Sequence, residues 1–357
     1  MRVLVAGGAG FIGSHLSDAL LERGDDVVAV DNFSTGRRGN VTHLVGHERF
    51  SLVEHDITES LDEIGASDGG FDAILDFASP ASPDDFANLP LEILSVGSTG
   101  TRNLLDLTVA HGARFLLAST SEVYGDPLVH PQDESYFGNV DPVGPRSCYD
   151  EAKRFSEALA SAYERVHGIE VRIARIFNTY GERMRADDGR VLTNFVIQAL
   201  DGRPITLYGD GSRTRSFCYV TDEVAGLLAV LDGHIVGPVN VGSSEEVTIR
   251  EVAELVRKLT GSTSSIVEVP LPAEREGDPQ RRRPDITRIE DGLGWRPTTS
   301  LDVGLARMIE SMRSSVIVKD STTSRRKALK QVSMSVRLRL VVMFDSVVRN
   351  RLPTECQ

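Results

Sequence analysis

The sequence predicts an α/β fold: a doubly wound parallel sheet followed by a smaller α/β part. Three observations carry this. Short apolar runs alternate with longer amphipathic stretches over residues 1–175. A glycine-rich turn joins the first run to the first stretch. After about residue 176 the alternation loosens into loops rich in Gly, Arg, Asp and Pro. Strands alternating with helices require crossovers, which give a parallel sheet covered on both faces, with right-handed connections.

In order, the apolar runs 3–6, 27–30, 51–54, 73–77, 114–118 and 171–175 read as buried strands. Amphipathic stretches at 11–23, 92–111 and 149–167 read as helices between them. Beyond residue 176, loops are expected at 181–190, 209–215 and 273–284, with short helices at 192–201 and 249–259. The domain expectation is therefore 1–175, then 176–315 partly interleaved with it, then a tail, 316–357. That tail holds nine Lys and Arg against three acids, whereas residues 1–315 hold 30 basic and 49 acidic residues. Val336, Leu340, Met343, Phe344, Val347 and Val348 would share one helical face there. A basic amphipathic helix suits a membrane surface or a partner; a loosely attached extension is the plainer alternative.

Charge and composition narrow the function. A net charge of −13 argues against a general nucleic-acid binder. Cys148, Cys218 and Cys356 suggest neither a disulfide framework nor zinc spacing, so a reducing, cytoplasmic setting is expected. No basic leader or membrane-length apolar run is visible. His43 and His47, four apart, read as a solvated turn, and no metal is expected.

Gly7, Gly10 and Gly13, with Phe11 and Ile12 between them, follow the first strand and open the first helix. Glycines there allow close backbone approach to a pyrophosphate, and the helix N-terminus attracts the anion. Asp31 ends the second strand, 18 residues beyond Gly13, where an acid can accept from the adenosine ribose hydroxyls. It would repel an extra phosphate, so this Rossmann-type site is expected to take NAD; Arg37 and Arg38 nearby argue the other way. Asp56 is a candidate partner for the adenine amino group. Asn32, Ile57 and Ala78 complete the expected cofactor set.

Tyr149 and Lys153 stand four apart and so share a helix face. The ammonium is expected to bring the phenol's pKa toward neutrality, making Tyr149 a base for a sugar hydroxyl. Thr120, Ser121 and Glu122 follow the strand 114–118, at a carboxyl end of the sheet where such folds bind ligands.

These motifs resemble the extended short-chain dehydrogenase/reductases that act on nucleotide sugars, over roughly residues 1–313. More narrowly, the chain is similar to the UDP-glucuronate decarboxylases (UDP-xylose synthases). Residues 78–83 (Ala-Ser-Pro-Ala-Ser-Pro), 118–127, 148–153, 174–181, 188–190, 214–215 and 282–285 carry the resemblance. It implies Tyr149 as base, assisted by Lys153 and Thr120. It implies Asn178, Arg190, Tyr208 and Arg215 around UDP, and Arg282 facing the sugar carboxylate or Glu122. A homodimer packed through the helices at 92–111 and 149–167 is also implied. The rivals are a 4,6-dehydratase, a 4-epimerase and a non-catalytic NAD-binding scaffold. Ser121 stands where dehydratases carry an acid, and an epimerase has no need of Arg282 for a carboxylate. Ser95 and Gly97 replace a lysine and an asparagine usual in the family, and Gly97 is expected to cost helix stability.

Overall fold

The structure, a computed structural model, describes residues 1–65, 69–272 and 278–314. The chain divides into two compact units, Met1–Ile309 and Glu310–Gln357. Sheet, core and cleft belong to the first. Of the second, only residues 310–314 are described, so the expected basic tail lies outside the described residues.

Seven parallel strands form the central sheet: β1 (Arg2–Ala6), β2 (Asp26–Asp31), β3 (Phe50–Glu54), β4 (Ala73–Asp76), β5 (Arg114–Thr120), β6 (Glu170–Ile176) and β7 (Pro238–Val241). Their spatial order is β7-β6-β5-β4-β1-β2-β3. The order reverses beside β1, which pairs with both β2 and β4 and so opens a crevice at its carboxyl end. Strands β1, β2, β4 and β5 are buried almost throughout, as a sheet covered on both faces requires. Leu4, Ile74, Phe115 and Leu117 are fully buried in the core beneath one set of helices.

Helix α1 (Phe11–Arg23) ends where expected, because Gly24 takes the left-handed conformation that closes the last turn. The strand expected at 114–118 runs two residues further, and that extension delivers Ser119 and Thr120 to the crevice. Residues 214–215 and 281–282, expected in loops, form short strands. Thr214–Ser216 pairs with Arg281–Arg282, in register Arg215 to Arg282, and with Glu246–Thr248. Runs of two or three residues carry no periodicity from which to predict them.

The stretch expected as one helix is Pro90–Ser95 continuing through a π-helical turn, Val96–Gly100, into Thr101–His111; we call it α2. It crosses α3 (Ser147–His167) at Gly97. A Cβ at Gly97 would lie 2.8 Å from the Ala152 Cβ and 3.2 Å from its carbonyl oxygen. The Gly97 carbonyl also accepts from the Ser156 hydroxyl at 2.7 Å. Glycine therefore permits the crossing, which corrects the expectation of a mere helix cost. Gly97→Ala should gain the ~1 kcal/mol of helix propensity yet destabilise by ~1–3 kcal/mol through overpacking. Urea denaturation reads the sign, and a net gain would contradict the tight crossing.

Candidate active site

The glycine loop closes on itself. The Gly7 N–H donates to the Val30 carbonyl at 2.8 Å and that of Gly10 to the Gly7 carbonyl at 2.9 Å. Gly7 has φ +74°, and a Cβ at Gly13 would lie 2.2 Å from the Gly7 oxygen. No side chain caps the helix at Gly10 and no acid stands in its first turn. The loop and the start of α1 thus suit a diphosphate.

Asp31 is buried at the end of β2. Its carboxylate accepts from the N–H of Ala9 (2.9 Å) and of Phe33 (2.8 Å), so it braces the glycine loop as well as facing the cavity. Burial pushes its pKa up. Arg37 is drawn to Asp187 at 2.8 Å; Arg38 pairs with Glu54 and lies over the Phe33 ring. Asp56 accepts from Asn32 Nδ2 at 2.8 Å and from the Thr58 N–H and hydroxyl. Burial raises its pKa, but these bonds outweigh burial and hold it below the usual range.

Thr120 ends β5 and accepts from the Glu122 N–H at 3.2 Å, starting the short turn Ser121–Tyr124. On the first turns of α3, Tyr149 and Lys153 are both nearly buried. The Tyr149 ring stacks on Phe86 at 4.8 Å, and its hydroxyl bonds to Thr120. Here an expectation is corrected. Burial pushes the phenol up to about 12 despite the Thr120 bond, and nearby Glu122 adds to the rise. Lys153 instead donates to the Ala118 carbonyl at 2.9 Å, and burial pushes its own pKa down. Spacing put the pair on one face but did not reveal how dry that face is.

Glu122 receives both terminal nitrogens of Arg282 at 2.6 Å, and Arg146 at 2.7 Å. Arg146 also bonds Asp278 at 2.7 Å. Burial alone would raise the Glu122 carboxyl, but the two guanidinium groups bring it to about 2. Arg215, beside Arg282, is lowered to about 9 by burial and then by Arg282. Asp150 is raised to about 8 by burial and then by Glu122.

The glycine loop, Asp31, Asp56, Thr120, Glu122, Tyr149, Lys153, Arg146, Arg215 and Arg282 face one cavity of about 650 Å³, within the size range of small-molecule sites. Each residue named from sequence lines it: the glycine-loop set, the Asp31 and Asp56 turns with Asn32 and Ile57, Ala78, the Thr120–Glu122 and Tyr149–Lys153 sets, and Asn178, Arg190, Tyr208, Arg215 and Arg282. In this structure Asn178 donates to the Ser216 carbonyl, Arg190 to that of Ala81 and Arg215 to that of Thr214. Sequence reasoning missed Arg146, Asp278 and Arg185. Arg146 stands three before Tyr149 at the start of α3, a signal that was available. Arg185 binds Asp85 at 2.8 Å and the Ser82 hydroxyl, which together cap the helix after the Ala-Ser-Pro-Ala-Ser-Pro stretch.

The chain is 51% identical over 310 residues to UDP-glucuronic acid decarboxylase 1 of Danio rerio, covering 87% of this chain and 72% of that one. It is 49% identical over 315 residues to UDP-glucuronic acid decarboxylase 5 of Arabidopsis thaliana, covering 88% and 89%. Among solved structures, UDP-glucose 4-epimerase of Thermotoga maritima with UDP-glucose superposes with a TM-score of 0.81 at 28% identity, over 88% of this chain and 100% of that one. A dTDP-glucose 4,6-dehydratase of Streptomyces venezuelae with NAD bound gives 0.79 at 32% identity, over 88% and 97%. UDP-glucuronic acid 4-epimerase of Bacillus cereus, in complex with UDP-glucuronic acid and NAD, gives 0.78 at 28% identity, over 88% and 99%. Residues 4–308 match the model described as GDP-mannose 4,6 dehydratase, and the chain belongs to that family of extended short-chain dehydrogenase/reductases.

Proposed function

We propose that this protein is an NAD-dependent decarboxylase that converts UDP-glucuronate to UDP-xylose. One observation carries the reading: the Tyr149–Thr120 pair and the Glu122–Arg282 pair face the same cavity as the glycine loop. Bound NAD would supply a hydride acceptor that later returns the hydride, and a positive ring that favours the phenolate. Gly7, Gly10 and Gly13 would hold its diphosphate, Asp31 its adenosine ribose and Lys153 its second ribose. With Arg37 and Arg38 paired elsewhere, Asp31 is the charge that selects NAD over NADP.

Tyr149 takes the proton of the C4 hydroxyl as hydride leaves C4. The carboxylate on C5 is then β to a carbonyl. Its C–C bond breaks, CO₂ departs, and the electron pair passes into an enolate. Thr120 and protonated Tyr149 donate to that enolate oxygen. After C5 gains a proton and C4 regains hydride, Tyr149 returns its proton to the C4 oxygen. Arg215, Arg190, Asn178 and Tyr208 hold the UDP portion; the arginine forks suit a diphosphate. Arg282 takes the sugar carboxylate while it shares its charge with Glu122, the bond that supports this reading. Ser121, beside Thr120, cannot act as the acid of a dehydration.

A second reading has a specific observation behind it. The Bacillus cereus 4-epimerase is similar to this chain and is bound to UDP-glucuronic acid. A carboxylate on the bound sugar therefore does not separate the two reactions, against the expectation that an epimerase has no need of Arg282 for one. Gas evolution does: incubation with UDP-glucuronate should release one CO₂ per sugar, and retention of all carboxylate would favour the epimerase.

We also read residues 1–175 as the cofactor part and 176–315 as the nucleotide-sugar part, with the basic tail as a surface or partner contact. Leu91, Leu94 and Phe155, exposed on α2 and α3, support a homodimer packed through those helices. Among the described residues no helix is long and apolar enough to cross a membrane. A cytoplasmic location rests on the cysteine pattern.

A further inference from the structure

We propose that Asp76 is a positioning residue for the reaction: a buried carboxylate that acts as the counter-charge of Lys153 and keeps its ammonium charged beneath the cofactor cleft. Asp76 ends β4 and is 1% exposed. An acid within an apolar strand is costly unless a positive charge or hydrogen bonds answer it. Its Oδ2 accepts from the Thr101 hydroxyl at 2.8 Å, and the Ala78 N–H also favours the charged form, whereas Oδ1 has no close hydrogen-bond partner among the described residues. In the sheet register Asp76 lies opposite Leu117. The next residue, Ala118, holds the Lys153 ammonium through its carbonyl. Thr101 in turn lies 3.4 Å from the hydroxyl of Ser156, which stands three residues after Lys153 on α3. Two links, one through Ala118 and one through Thr101 and Ser156, thus bring the Asp76 carboxylate and the Lys153 ammonium to the same buried stretch between β4, β5, α2 and α3.

Other groups near Lys153 are uncharged or engaged. Tyr149, four residues before it, is a buried phenol. Glu157, four residues after it, is committed to Arg175 and the Ser119 hydroxyl. From β5 the Ala118 carbonyl, Ser119 and Thr120 bring no charge. Burial pushes Lys153 down, and Asp76 is the group that opposes this. The same burial pushes Asp76 up, opposed first by Lys153. Each group is the main reason the other can stay charged.

The inference rests on the assignment of Lys153 to the cofactor and Tyr149, but its test does not depend on the sugar. Asp76→Asn keeps the side-chain shape and an acceptor for Thr101 while removing the charge. Lys153 would then lose its proton at lower pH, so NAD binding, read by calorimetry, should weaken as pH rises. The alkaline loss of affinity should move toward neutrality by at least about one pH unit, or about tenfold at a fixed alkaline pH. An unshifted profile would overturn the proposal. Stability supplies an arm free of cofactor. Asp76→Asn and Lys153→Met should each destabilise by stranding a charge, and the double variant should be more stable than the sum of the two predicts. If Asp76→Asn alone does not fold, the double variant should. Strict additivity, or a double variant that unfolds where Lys153→Met folds, would sink the idea. If UDP-glucuronate is not decarboxylated, the function above fails while these two arms still decide.

Discussion

Tyr149→Phe should lower kcat for CO₂ release by ~10²–10⁴-fold, the range for loss of a general acid–base group. The fold should survive, because the ring that stacks on Phe86 is retained. KM for UDP-glucuronate should change little, since the residues proposed to hold UDP are Asn178, Arg190, Tyr208 and Arg215, which leaves that contact set intact. The phenol of the free protein is held up near 12 by burial, so its base form is scarce at neutral pH. In the parent enzyme kcat/KM should therefore rise with pH through the accessible alkaline range until Lys153 titrates. Steady-state rates across pH check this. A phenylalanine variant with near-parent turnover would remove Tyr149 from the chemistry.

Glu122→Gln should have the largest effect on stability. It leaves Arg282 and Arg146 without the carboxylate that both contact at 2.6–2.7 Å. Breaking a buried pair by removing one partner costs ~3–5 kcal/mol, because the remaining charge stays dehydrated. The pH dependence has a defined sign. The Glu122 pKa falls from 4.5 unfolded to about 2 folded. Its contribution is thus fully present above 4.5 and is lost as pH falls from there through about 2. Urea midpoints should drop over that window in the parent and less steeply in Glu122→Gln. Equal slopes would mean that the carboxylate is not held by the arginines.

The parallel sheet and its helices were legible because they rest on local signals, whereas the strand order was not read from sequence. Helix α1 has an apolar period and a glycine stop, and Tyr149 and Lys153 have the i, i+4 spacing that places both on the cavity side of α3. The glycine loop, Asp31 and the Thr120 turn were legible for the same reason: each sits at a strand end, and strand ends line the crevice. Arg282 was expected opposite Glu122 or the sugar carboxylate only through the family resemblance, and Arg146 was not expected at all. Arg282 is 160 residues away and meets Glu122 through a two-residue strand, and Asp278 reaches it through Arg146. Electrostatics were the least legible. The expected lowering of Tyr149 by Lys153 ignored burial, which decides the direction for both groups. Gly97 shows the same gap in packing: propensity scores one helix, whereas the glycine answers the approach of another.

One sugar carbon should be oxidised and re-reduced in place while its neighbour loses CO₂. Conversion of UDP-glucuronate in deuterated water, followed by NMR of the product, tests it most directly. The expected product is UDP-xylose with one solvent deuterium at C5 and the original hydrogen kept at C4. A product that keeps its carboxylate, or that carries solvent deuterium at C4, would contradict it.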